Sequence, residues 1–223
     1  MKSRSPNNTE RVQTQMAENE TSARGLFISF EGGDGAGKST QVDLLKTWLE
    51  GCGREVVVTR EPGGTDLGCE IRKILLHGED VSSRAEALLY AADRAHHVDT
   101  LVRPALERGA VVISDRYLDS SLAYQGAARM LDPRQIYELS MWAVQGLLPR
   151  LTLLLDVPAE KGGARVGAVR DRLESAGMEF HRKVRSEFLA LAKENPQRFR
   201  VLDGTLPIGE IASQIRAIAE PLL

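Results

Sequence analysis

Residues Phe30 to Thr40, FEGGDGAGKST, place four glycines ahead of a lysine and two hydroxyls. Within that stretch, Gly32-Gly33-Asp34-Gly35-Ala36-Gly37-Lys38-Ser39 meets G-x-x-x-x-G-K-[ST] at every fixed position. Glycines let backbone N–H groups converge on phosphate oxygens without side-chain obstruction. A helix opening at Lys38 would add its positive end to that cradle. Lys38 would reach the β- and γ-phosphates, and Ser39 would ligate Mg²⁺. The residues from Gly32 to Thr40 are therefore expected to bind ATP. The rival dinucleotide fingerprint G-x-G-x-x-G fails in both registers, because Lys38 and Thr40 stand at its third glycine. Kinases, switches and mechanical ATPases all use such a loop, so the phosphate acceptor must be sought elsewhere.

The elements needed to position the loop are legible in the pattern around it. LFISF (26–30), EVVVT (55–59), AVVIS (110–114), LTLLL (151–155) and FRVL (199–202) are strand candidates. Helical periodicity begins at Lys38, with Val42, Leu45, Trp48 and Leu49 on one face, and ends at Gly51 and Gly53. Further helices are expected at about 67–77, 84–107, 134–147, 178–194 and 208–222. The alternation predicts an α/β fold, a mostly parallel five-stranded sheet covered by helices on both faces. Ligands in such sheets gather at the carboxyl ends of the strands. The polar motifs follow residues 30, 59 and 114, which are those ends.

The chain has 223 residues, 42% of them hydrophobic and 27% charged, the balance of a globular protein with its own core. A net charge of −2 gives no general attraction for nucleic acid. No apolar run approaches the ~18 residues of a membrane span. Cys52 and Cys69 form no CxxC pair or disulfide framework, which suits a reducing cytoplasm. Residues 1–24 are polar and are expected to be a disordered extension, leaving 25–223 as one domain.

Three more motifs stand where this fold would bring them near the loop: TREPGGT (59–65), LLYAADRAHH (88–97) and DRYLDSSLAYQG (115–126). Together with the loop they resemble thymidylate kinases, from about Leu26 to the C-terminus. The resemblance implies a phosphate-loop nucleoside-monophosphate-kinase fold that transfers the γ-phosphate of ATP to dTMP. It also implies that Arg60 and Arg116 clamp the acceptor phosphate, a task suited to rigid bidentate guanidiniums. Tyr90 would stack on thymine and Arg94, one turn further on, would meet its carbonyl edge. Ser121 and Gln125 would contact the base, Tyr124 would favour deoxyribose, and Asp34 would hold the 3′ hydroxyl. Plainer roles remain open: ion pairs for the two arginines and a core position for Tyr90. Asp93 is expected to pair structurally, and His96 and His97 to be solvated or partly buried. Asp115 ends the third strand, as a carboxylate directed toward Mg²⁺ or as a structural one.

Some thymidylate kinases carry a catalytic arginine inside the loop, at the position of Gly35; others supply basic residues from a lid. The segment around 160–176 fits the second pattern, with Arg165, Arg170 and Arg172 as its candidates. The resemblance further implies a homodimer, although the apolar segment 136–149 reads most simply as core. Two alternatives stay open: a kinase for another pyrimidine monophosphate such as dUMP, and a nucleotide-dependent switch without kinase activity.

Overall fold

In a computed structural model of the chain, the described residues are 25–165, 172, 173 and 175–223. The expected extension at 1–24 and Arg170 of the expected lid lie outside them. Strands β1 (Leu26–Glu31), β2 (Val56–Arg60), β3 (Val111–Asp115), β4 (Leu151–Asp156) and β5 (Phe199–Asp203) form one sheet. Its order is β2-β3-β1-β4-β5 and every pairing is parallel. Helices α1 (Lys38–Gly51), α2 (Asp66–His77), α3 (Ser83–His97) and α4 (Arg103–Glu107) precede β3. They are followed by α5 (Leu118–Ser121), α6 (Pro133–Val144), α7 (Ala159–Arg165), α8 (Met178–Glu194) and α9 (Ile208–Ala219).

The period of two along each strand sorts the core onto the two faces. Leu26, Ile28 and Phe30 pack with Val42 and Leu45 of α1 and Ile215 of α9. Phe27, Val112 and Leu154 turn the other way, toward Leu75, Val184 and Phe188 of α2 and α8. All six residues of β1 are buried, as expected of a central strand in a doubly covered sheet. The edge strands differ: Val58 and Val201 are exposed, because each has a neighbour on one side only.

Several helices start where local chemistry satisfies their free N–H groups. The Thr65 side chain accepts from the Gly68 N–H at 3.0 Å, and Asp132 accepts from Arg134 N–H at 2.9 Å beside Pro133.

Three local features depart from the sequence expectation. The helix expected at 84–107 is interrupted by a π-helical turn, Val98–Val102. Pro104 lies just beyond it, and a proline there removes one N–H and crowds the preceding turn. The DRYLDSSLAYQG motif is itself helical, through α5 and a π-helical stretch Leu122–Ala128; a widened, polar helix hides the 3.6-residue period. In 136–149, Ile136, Ala143 and Val144 are core, but Trp142 is 79% exposed, so this segment covers the core with one side only.

Candidate active site

The loop between β1 and α1 is shaped by close backbone approaches. Gly35 has φ +71, and a Cβ there would lie 2.2 Å from the Gly162 carbonyl oxygen in α7. Conversely, a Cβ on Gly162 would lie 2.5 Å from the Asp34 oxygen. Position 35 therefore has no room for any side chain, arginine included. Lys38 is buried and folds back over the loop, donating to the carbonyls of Gly32 (3.2 Å) and Gly33 (3.0 Å). Ser39 and Thr40 stand exposed at the cavity. Ser39 Oγ is 3.4 Å from Asp115 Oδ2, and Asp115 Oδ1 is buried without a hydrogen-bond partner. A hydroxyl beside a carboxylate with a spare oxygen is a hard-donor set that fits Mg²⁺.

From the cradle a cavity of about 760 Å³ runs across the carboxyl ends of the strands toward α3 and α5. Arg116, at the end of β3, joins its two halves. Its guanidinium donates to the Gly32 carbonyl (2.9 Å), to Ser120 Oγ (3.2 Å) and to Asp34 Oδ1 (2.6 Å). It also lies 5.1 Å from the centroid of the Tyr124 ring, whose hydroxyl donates to Asp34 Oδ2 at 3.4 Å. Burial pushes the Asp34 carboxyl up, but Arg116, Lys38 and His181 together hold it below its ordinary value. Burial likewise opposes the charge on Arg116, while Tyr124 and the carboxylates of Asp34, Asp115 and Glu31 raise its pKa. Arg60 ends β2 and lines the cavity; it is exposed, and its side chain makes no hydrogen bond or ion pair among the described residues.

The end of the cavity toward α3 and α5 is built around Arg94, 1% exposed. Its Nε donates to Glu61 Oε2 at 2.6 Å and one Nη to Ser121 Oγ at 3.1 Å. Its other Nη is buried without a hydrogen-bond partner, and Arg94 is among the residues that line the cavity. A buried donor left unpaired costs about 1–3 kcal/mol, so this one marks a place for a ligand acceptor. Tyr90, Ser121, Tyr124 and Gln125 line the same end.

Sequence reasoning missed Glu61, which anchors this end from below. Its second oxygen is 2.8 Å from His97 Nδ1, while His97 Nε2 is 2.7 Å from Thr59 Oγ1. His97 is thus fully buried, which corrects the expectation of a solvated or half-buried histidine; His96 is half-buried. Asp93 serves the local structure, accepting from Gly63 N–H at 3.1 Å, and burial followed by the Glu61 charge raises its carboxyl to about 6.

The comparisons with known proteins coincide with these motifs. A family model described as thymidylate kinase matches residues 30–215. The chain belongs to the thymidylate kinase family.

A thymidylate kinase of Leifsonia xyli subsp. xyli is 63% identical over 200 residues, spanning 88% of this chain and 95% of that protein. One from Bifidobacterium longum (strain NCC 2705) is 55% identical over 198 residues, 86% of this chain and 96% of the relative. The crystal structure of the Ehrlichia chaffeensis thymidylate kinase superposes with a TM-score of 0.73 at 32% identity, covering 87% of this chain and 98% of that one.

The cavity has a second end, on the far side of the phosphate loop from Arg94. Gly204, Leu206, Ile208 and Ile211, after β5 and in α9, line it beyond the loop. No motif signalled them, because backbone and apolar side chains carry no spacing signature. Arg165 lies between that wall and the loop, donating to the carbonyls of Gly204 (3.3 Å) and Gly35 (3.4 Å). Arg172 goes elsewhere: it donates to Glu86 Oε2 at 2.7 Å and to the Leu75 carbonyl at 2.9 Å. The three lid arginines, expected as a cluster, are thus not equivalent. Arg165 borders the cradle, Arg172 is tied to α2 and α3, and Arg170 lies outside the described residues.

Burial lowers the Lys38 ammonium to about 8; Arg116 adds to this, and Asp115, Asp34 and Glu31 oppose it. Charged Lys38 would hold a phosphate better than neutral Lys38, so ATP affinity should be full below this value and fall as pH rises through it. The ATP dissociation constant should climb toward tenfold per pH unit above about 8, read by calorimetry. Lys38→Met should bind weakly at every pH, with this slope gone.

Proposed function

We infer that this chain is a dTMP kinase, transferring the γ-phosphate of ATP to dTMP to give dTDP and ADP in dTTP synthesis. One observation carries this reading. A single cavity holds a triphosphate cradle at one side and, at the other, exposed Arg60 with the unpaired Arg94 donor. A nucleotide switch has no use for the second half. Relatives at 63% and 55% identity, both thymidylate kinases, favour dTMP over other acceptors.

The residues from Gly32 to Thr40 hold the ATP phosphates through backbone N–H groups and the Lys38 ammonium. The adenine lies against the apolar wall of Leu206, Ile208 and Ile211. Ser39 and Asp115 would hold Mg²⁺, which when bound neutralises charge on the β- and γ-phosphate oxygens. Arg60 and Arg116 clamp the dTMP phosphate in line with the transferring group. Arg94 donates to a carbonyl on the thymine edge beside Ser121 and Gln125, and Tyr90 stacks on the ring. Tyr124 and Asp34 face the sugar, Asp34 accepting from its 3′ hydroxyl. With position 35 closed to side chains, the extra positive charge at the transferring phosphoryl comes from the lid, from Arg165 or Arg170.

The chain works as one kinase domain over 25–223 and as a homodimer. Leu67 and Ile74 of α2, Leu88 of α3, and Tyr137 and Trp142 of α6 are exposed on neighbouring helices, an apolar face suited to a second copy. Light scattering should give a mass near twice the 24.5 kDa of one chain; a monomer at micromolar concentration contradicts the dimer. No described helix is long and apolar enough to cross a membrane. Both cysteines are free, in keeping with a cytoplasmic protein.

A coupled assay with ATP and Mg²⁺ tests the reaction across dTMP, dUMP, dCMP, dGMP and thymidine. ADP release should depend on dTMP most strongly; nucleotide binding without acceptor-dependent turnover would sink the reading. In the same assay Arg165→Ala or Arg170→Ala should lower kcat by ~10³ or more. Arg172→Ala should cost far less. Near-normal kcat in both of the first two variants contradicts the lid assignment.

A further inference from the structure

Glu86 is a charged residue that the reading above leaves without a role. It belongs to α3, is 1% exposed, and its side chain is surrounded by donors. Arg172 donates to Oε2 at 2.7 Å, and Arg129 reaches Oε2 at 3.3 Å and Oε1 at 3.4 Å. Among the described residues one more side chain meets it: Gln125 Nε2 donates to Oε1 at 2.9 Å. Every one of these contacts has Glu86 as the acceptor, and a glutamate carboxylate offers its neighbours only acceptor oxygens.

That constraint passes to Gln125. Its amide has a donor end and an acceptor end, and nothing in the side chain itself chooses which end faces the cavity. With Nε2 committed to Glu86, the amide oxygen is the end left for a ligand. An oxygen there accepts from the ring N–H of thymine or uracil. It repels the bare ring nitrogen at the same position of cytosine. The unpaired Arg94 donor nearby complements a ring carbonyl, which cytosine replaces with an amino group.

We propose that Glu86 is a positioning residue for base selection: it fixes the orientation of the Gln125 amide so that its oxygen faces the acceptor base. Arg129 and Arg172 hold Glu86 in place for this task, which gives Arg172 a role remote from the transferring phosphate. The inference rests on the reading of this end of the cavity as the dTMP base site.

The test is the ratio of kcat/KM for dTMP over dCMP in wild type and in Glu86→Gln. A glutamine at position 86 can donate to the Gln125 oxygen, so the Gln125 amide is free to invert. The ratio should fall about tenfold or more, mainly through the acceptor KM, with the ATP KM unchanged. General damage to the fold would lower both acceptors alike and leave the ratio where it was. Should Glu86→Gln fail to fold, Glu86→Asp keeps the charge beside both arginines but withdraws it from Gln125, and the same fall is expected. A folded Glu86→Gln, or in its place a folded Glu86→Asp, with the wild-type ratio overturns the proposal. A wild-type protein inactive on dTMP overturns the site reading and this inference together. Active wild type with an unmoved ratio overturns this inference alone.

Discussion

The ion pair between Arg116 and Asp34 is the contact on which the site depends. The two side chains meet at 2.6 Å, one from the end of β3 and the other from inside the phosphate loop. Arg116 reaches this position with φ +70, a left-handed conformation that disfavours side-chain residues. Neighbouring bonds hold it there: the Arg116 N–H donates to the Phe30 carbonyl at 2.9 Å, and Ser114 Oγ donates to the Arg116 carbonyl at 2.7 Å. From that point one guanidinium touches a loop carbonyl, the Asp34 carboxylate and the Tyr124 ring. Removing it would leave Asp34 largely buried without its main counter-charge, a loss of several kcal/mol in comparable buried pairs.

The sheet order explains why this contact can exist. With β1 central between β3 and β4, the loop after β1 lies beside the end of β3. The Arg116 N–H continues the β1–β3 ladder by one bond, and Glu31 at the end of β1 accepts from Tyr117 N–H at 2.9 Å and Ser120 Oγ at 2.6 Å. Glu31 is fully buried; burial, and then the charge on Asp119, raises its pKa well above the usual carboxylate range. Through its bonds to Tyr117 and Ser120, Glu31 ties the start of α5 to the sheet. On the far side, the backbone contact between Gly35 and Gly162 sets α7 against the loop. The phosphate loop, the end of β3 and the helix α7 therefore meet at one place.

Much of this was legible in the sequence because it depends on patterns that survive without tertiary knowledge. Each of the five apolar runs becomes a strand within a residue of its expected bounds, since short apolar runs set between longer helical periods mark strands whether central or at an edge. The loop motif was readable because backbone cradles demand glycine at fixed spacing. The helix carrying Ser121, Tyr124 and Gln125 was not readable as a helix, because its π-helical stretch breaks the period. Nor were the buried partners Glu61 and Glu86, whose roles depend on side chains 33 and 39 residues away in sequence. A lone glutamate in a helix gives no sign of which arginine it will meet.

We propose that Arg116 serves both substrates, holding the acceptor phosphate directly and the ATP loop through Gly32 and Asp34. Calorimetric titration of ATP and of dTMP, each alone, into wild type and Arg116→Ala tests it most directly. The account predicts that both affinities fall, dTMP by the larger factor and ATP by about tenfold. A variant that loses dTMP affinity while binding ATP as the wild type does would contradict it.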